Sequence, residues 1–146
     1  MSYKKDGIKV PLGLLVVMTC IAISMFSITL PHFSYESFYI YPIDDPWILL
    51  TILLSVILSL SSVVLYYKGI NPVPLIALSI AVDLLDIIYI TTTSQYYIIP
   101  QIGFNLTIAV ILLKSISCLL IVLNVGEIEF RIIEKPVERL GEVSPT

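Results

Sequence analysis

Residues 72–92 read PVPLIALSIAVDLLDIIYITT, a run that is apolar apart from Ser79, Asp83, Asp86 and its hydroxyl-bearing end. Its length matches the ~20 residues with which an α-helix crosses about 30 Å of hydrocarbon. Charge has been placed where charge is expensive. On an insertion scale each central Asp costs ~2.5–3.5 kcal/mol, so two cost roughly 5–7, against about −0.3 to −0.6 for each Leu, Ile or Val. About ten such residues return only roughly 3–6 kcal/mol, so this span inserts marginally by itself and needs a partner.

The rest of the chain supplies the setting. Of 146 residues, 58% are hydrophobic and only 13% charged, whereas a soluble domain is about 25% charged. With a mean hydropathy of +0.99, a bilayer is the solvent that fits. Four spans are predicted, at 10–30, 47–67, 72–92 and 103–125. Residues 1–9 precede them, an aromatic-rich loop at 31–46 joins the first two, and a tail follows over 126–146. The apolar stretch Leu12 to Leu30 is too long for the ~7–15-residue core of a signal peptide, so the first span reads as a retained anchor.

Basic residues orient the chain. Lys4, Lys5 and Lys9 precede span one, Lys68 lies between spans two and three, and Arg131, Lys135 and Arg139 lie in the tail. The other two loops lack lysine and arginine, and the first holds Glu36, Asp44 and Asp45. Both termini are therefore expected on the cytoplasmic side of the cell membrane. The 31–46 loop carries Phe33, Tyr35, Phe38, Tyr39 and Tyr41, with Trp47 following, and Tyr96 and Tyr97 repeat the theme in the second outer loop. Such rings favour the headgroup zone, so both loops are expected to lie along the outer interface, with His32 as a headgroup neighbour. The tail alternates polar and apolar residues from Glu127 to Ile132; with no partner strand apparent, a short strand and a helical extension both fit.

Each span carries a stripe of small or polar residues at helical spacing. The stripes are Gly13, Cys20, Ser24 and Ser27; Thr51, Ser55, Ser59, Ser62 and Tyr66; Ser79, Asp83, Asp86 and Thr93; and Gly103, Thr107, Lys114, Ser117 and Cys118. Small residues let backbones approach and hydroxyls bond across helices where lipid removes the hydrophobic drive. The fold expected is an all-α integral membrane four-helix bundle, with Ser24, Ser55, Ser59 and Ser79 on its packing seams.

Lys114 is the natural partner for span three. Asp83 lies 11 residues from Pro72 and Lys114 lies 11 from Val125, so both sit ~16 Å from the cytoplasmic ends at 1.5 Å per residue. A Lys–Asp contact is expected, and depth alone does not choose between Asp83 and Asp86. One carboxylate is left over. An unpaired carboxylate in a low-dielectric interior favours its protonated form. That proton is either held permanently or exchanged, or else a cation or partner chain completes the site.

Several functions are disfavoured. No basic stripe offers a nucleic-acid surface, and one histidine with two isolated cysteines supports no zinc box, redox pair or bis-His haem. Glu36, Asp44 and Asp45 lack the spacing of a calcium loop. No activated nucleophile, metal box or cofactor motif is present, so an enzyme is not expected. Two readings remain open: a non-catalytic subunit or assembly partner of a larger membrane complex, its partners being the lipid bilayer, other membrane subunits or its own copies; or a proton- or cation-coupled transporter using Asp83, Asp86 and Lys114.

Overall fold

A computed structural model describes residues 8–35, 37–93 and 98–130. In chain order these form β1 (Ile8–Pro11), α1 (Leu12–Ser27), β2 (Phe33–Tyr35), β3 (Phe38–Ile40), a 3₁₀ turn (Pro42–Asp44), α2 (Pro46–Tyr67), α3 (Val73–Thr93), β4 (Ile98–Pro100), α4 (Ile102–Val122) and β5 (Glu127–Phe130). The protein is mostly helical. Among the described residues α2, α3 and α4 are each long and apolar enough to cross a membrane, while α1 is apolar but has only 16 residues.

The helix ends follow from local chemistry. At the close of α2, Gly69 adopts φ 73°, its N–H bonds to the Tyr66 carbonyl and the Ile70 N–H to that of Leu65. Both bonds define a Schellman cap. Asn124 does the same for α4: it has φ 51°, donates to the Ile121 carbonyl, and the Val125 N–H reaches Leu120. That cap ends α4 at Val122 rather than at the expected residue 125. Helix α1 is shorter than its 10–30 apolar run because residues 8–11 enter a strand and Pro31 disfavours helical geometry at Leu30. Its last turn is finished by i+3 bonds from Thr29 and Leu30 to Phe26 and Ser27.

Each helix packs against its neighbours in the chain, and α4 closes the ring against α1. Strands cover both ends. The tail does have a partner strand: β5 pairs antiparallel with β1, Ile8 opposite Phe130 and Pro11 opposite Glu127. Strand formation therefore prevails over helical extension for Glu127–Phe130, and β1 and β5 lie together at one end of the bundle, here the terminal end. At the other, the loop end, β2 pairs with both β3 and β4 in a three-stranded antiparallel sheet. What reads as two separate aromatic loops is one cap, consistent with the strand preference of aromatic and β-branched residues. Glu36, Tyr96 and Tyr97 lie outside the described residues, as do Lys4, Lys5, Arg131, Lys135 and Arg139.

The distribution of polarity is inverted relative to a water-soluble protein. Buried side chains include Ser55, Ser59, Ser62, Ser79, Asp83, Asp86, Thr107, Lys114 and Ser117, whereas Leu50, Ile57, Leu85, Ile88, Leu112 and Leu119 are exposed. Hydrophobic residues dominate soluble cores. An aliphatic exterior around a hydroxyl-rich interior suits lipid surroundings.

Candidate functional site

The α2–α3 hairpin positions most of the polar interior. Its tight turn sets an antiparallel register in which hydroxyl and charged residues stand opposite one another in successive layers. Nearest the loop end, Thr51 Oγ1 lies 3.1 Å from Asp86 Oδ1. In the next layer Lys114, reaching in from α4, places its Nζ 2.6 Å from Ser55 Oγ and 2.7 Å from Asp83 Oδ2. Toward the terminal end, the hydroxyls of Ser59 and Ser79 are 3.3 Å apart. Ser62 follows, its hydroxyl donating to the Ser59 carbonyl.

Lys114 therefore pairs with Asp83, not Asp86. The pair is dry: Lys114 is 1% exposed and Asp83 5%. Taking both ions out of water costs several kcal/mol each, and only close, well-oriented contacts offset that. The short Lys114 Nζ contacts to a carboxylate and a hydroxyl are such contacts. Ser55 thus serves the charge pair as well as a packing seam.

Asp86 is left without a cation. It is 1% exposed, and Oδ2 is buried with no hydrogen-bond partner. Thr51 is its polar contact, and that hydroxyl also lies 2.9 Å from the Ile48 carbonyl and 3.1 Å from that of Trp47. Beyond Asp86 toward the loop end the interior turns apolar, with Phe33, Ile48, Ile52 and Ile90 packed in one cluster.

The stripes on α1 and α4 form a second seam. Gly13 sits so close to α4 that an added Cβ would come within 2.8 Å of the Ser117 carbonyl oxygen and 2.7 Å of Ile121 Cγ1. Ser24 and Ser27 are buried, Ser27 donating to the Ser24 carbonyl over 2.7 Å. Cys20 is buried and Cys118 half-buried, both as free thiols. The side chain of Thr93 lies outside the description.

Two roles were not legible as sites. Asp45, one of the acidic loop residues whose spacing does not suit a calcium loop, caps α2: its Oδ1 accepts from the Trp47 and Ile48 N–H groups at 2.9 and 3.4 Å, and Oδ2 accepts from Tyr89 Oη at 3.2 Å. The Asp-Pro pair immediately ahead of an apolar run was the available signal. His32, expected among headgroups, is instead fully buried beneath the loop-end cap and in close contact with Gly103. Its Nδ1 lies 3.2 Å from the Leu30 carbonyl, and Nε2 has no partner. Burial holds the imidazole below its ordinary pKa, with the Leu30 carbonyl opposing that shift.

Among the described residues no three His, Cys, Asp or Glu side chains converge as a metal site. No family model, curated protein or solved structure matches the chain. The chemistry available is thus an internal ion pair, a neighbouring carboxyl without a cation, and a column of hydroxyls.

Proposed function

We propose that the protein is a multi-pass component of the cell membrane, crossing it four times with both termini cytoplasmic, and that it acts without catalysis as a subunit or assembly partner of a larger membrane complex. The observation that carries this reading is the inverted polarity. The three ionic groups on the helices, Asp83, Asp86 and Lys114, are all buried inside one chain, leaving aliphatic helix faces for lipid and neighbouring helices. Such a partner is held by shape and apolar contact, since Lys114 and Asp83 neutralise each other and all three groups are buried.

The orientation has support from both ends. Pairing of β1 with β5 puts the strands that adjoin the basic segments of the sequence at the end where Lys68 closes α2, and the positive-inside rule favours that end as the cytoplasmic one. The loop end presents Phe38, Tyr39, Ile43 and Ile99 on its surface, side chains suited to a headgroup layer or to an apolar partner. Purification of the tagged chain in mild detergent tests the reading. A stoichiometric membrane partner is expected; a lone chain or homo-oligomer contradicts it.

A second reading, a proton- or cation-coupled transporter, is favoured by one specific observation: the partnerless Oδ2 of Asp86 beside a fixed charge pair. In liposomes it requires pH-gradient-dependent flux that Asp86→Asn or Asp83→Asn reduces. Flux indifferent to both changes excludes these carboxylates as carriers.

A further inference from the structure

Away from the polar interior, α2 and α3 share an apolar groove. Ile57, Leu60, Ser61, Val64 and Leu65 recur at helical spacing along one stripe of α2, and with Leu75 in the first turn of α3 they line a recess of about 430 Å³. Each of these side chains is exposed or half-buried, whereas the buried Ser55, Ser59 and Ser62 lie on the opposite side of α2. The groove therefore opens outward, to the surface that faces lipid in a membrane. Ser61, among four branched aliphatic neighbours, is the small residue of the stripe.

The groove has a defined length and a charged end. Ile57 lies at the middle of α2 (Pro46–Tyr67) and Lys68 is its C-cap. From one to the other the helix rises ~16 Å at 1.5 Å per residue, about half of the ~30 Å hydrocarbon thickness. The stripe thus spans a single leaflet, the one at the terminal end. Lys68 follows Val64 by four residues and Ser61 by seven, and its N–H still bonds to the Val64 carbonyl, so its Cα continues the same face one turn beyond the groove. Lys68 is exposed and forms no salt bridge with a described residue. The turn at 68–72 contains no acidic residue, and its Asn71 side chain is engaged by the Val73 N–H at 3.0 Å.

These features select among occupants. A transmembrane helix of a partner lies along the whole ~30 Å span, but this groove covers half of it and ends at a cation whose long stem reaches the headgroup layer. One acyl chain beneath one anionic headgroup matches both the length and the charge. We propose that the α2–α3 groove is a binding site for an anionic phospholipid of the leaflet at the terminal end, its acyl chain lying along the stripe from Ile57 to Leu65 and its phosphate at Lys68. The site rests on the membrane-spanning reading above and is independent of which subunit the protein joins.

Photolabelling tests it. The full chain is reconstituted in phosphatidylcholine vesicles containing a small fraction of phosphatidylglycerol whose acyl chain carries a diazirine, and its retention under carbonate extraction is checked. After irradiation the attachment points are mapped by peptide mass spectrometry. They are expected within residues 57–65 and at Leu75, and unlabelled phosphatidylglycerol is expected to compete about fivefold better than phosphatidylcholine, the factor equivalent to the ~1 kcal/mol of one lysine at an anionic surface. Lys68→Ala should erase that preference and Lys68→Arg should retain it. Ser61→Phe, which fills the groove from an outward-facing position, should remove the attachments at 57–65 while leaving the helical circular dichroism unchanged.

Attachment spread evenly over exposed positions such as Leu85 and Leu112, equal competition by the two lipids, or a map unchanged in both Lys68→Ala and Ser61→Phe overturns the proposal. Disulfide-linked dimers of Leu60→Cys, formed on mild oxidation in a background with Cys20→Ala and Cys118→Ala, would place a second copy in the groove and also overturn it. A chain extracted by carbonate overturns the membrane reading and the proposal with it, an outcome distinct from an embedded chain with no preferred attachment.

Discussion

The Ser117 hydroxyl donates to the backbone carbonyl of Gly13 over 2.6 Å, tying the first turn of α1 to the last part of α4. The bond exists only because position 13 has no side chain: a Cβ there meets the Ser117 carbonyl oxygen and Ile121. The α1–α4 seam is thus set by one glycine.

Gly13→Ala should therefore force the helices apart, with a loss of about 1–3 kcal/mol, the usual range for overpacking. Thermal unfolding in detergent measures it. Gly69→Ala provides the contrast, since φ 73° is strained for alanine but no atom lies within 4 Å of the added Cβ; its loss should be about 1 kcal/mol. Equal stability of Gly13→Ala and the parent would show that the seam is not close-packed.

His32 predicts a pH dependence of definite sign. Its folded-state pKa lies below the ordinary 6.5, so below that value the unfolded chain binds more protons than the folded one, and stability rises with pH there. The His32 contribution is complete above the unfolded value and declines as pH falls from the unfolded pKa towards the folded one. Melting temperatures taken from neutral pH down to mildly acidic pH should fall for the parent and fall less for His32→Gln. Identical pH profiles would remove His32 as the cause.

Much of the fold was legible because bilayer physics is written into single residues. The boundaries of α2 and α3 agree with the hydropathy reading to within one residue, and the buried positions Ser55, Ser59, Ser79, Asp83, Asp86 and Lys114 follow from helical spacing. The pairing of Lys114 with Asp83 was narrowed to two carboxylates but not chosen, because depth along a helix does not report rotation about it. The strands escaped for another reason. Glu127–Phe130 carries an alternating pattern, but its partner Ile8–Pro11 lies more than a hundred residues away and shows little pattern of its own. His32 was misplaced because its burial depends on Gly103, a contact between segments that no local pattern reveals.

The β1–β5 pairing also predicts a covalent capture. Val10 and Ile128 stand directly opposite, and opposed residues of antiparallel strands have Cα atoms about 4.5–5.5 Å apart, within disulfide range. In a background with Cys20→Ala and Cys118→Ala, the pair Val10→Cys and Ile128→Cys should cross-link on mild oxidation and migrate faster on a non-reducing gel. Failure to cross-link in the folded protein would contradict the strand register.

The central claim is that Lys114 and Asp83 neutralise each other inside one chain, and a double-mutant cycle on these two residues tests it most directly. Each of Lys114→Leu and Asp83→Leu strands a buried charge and should cost about 3–5 kcal/mol of unfolding free energy in detergent, whereas an apolar replacement of both is commonly near neutral. The account predicts a double variant close to the parent, with a large favourable coupling between the two changes. Two losses that simply add in the double variant would contradict it.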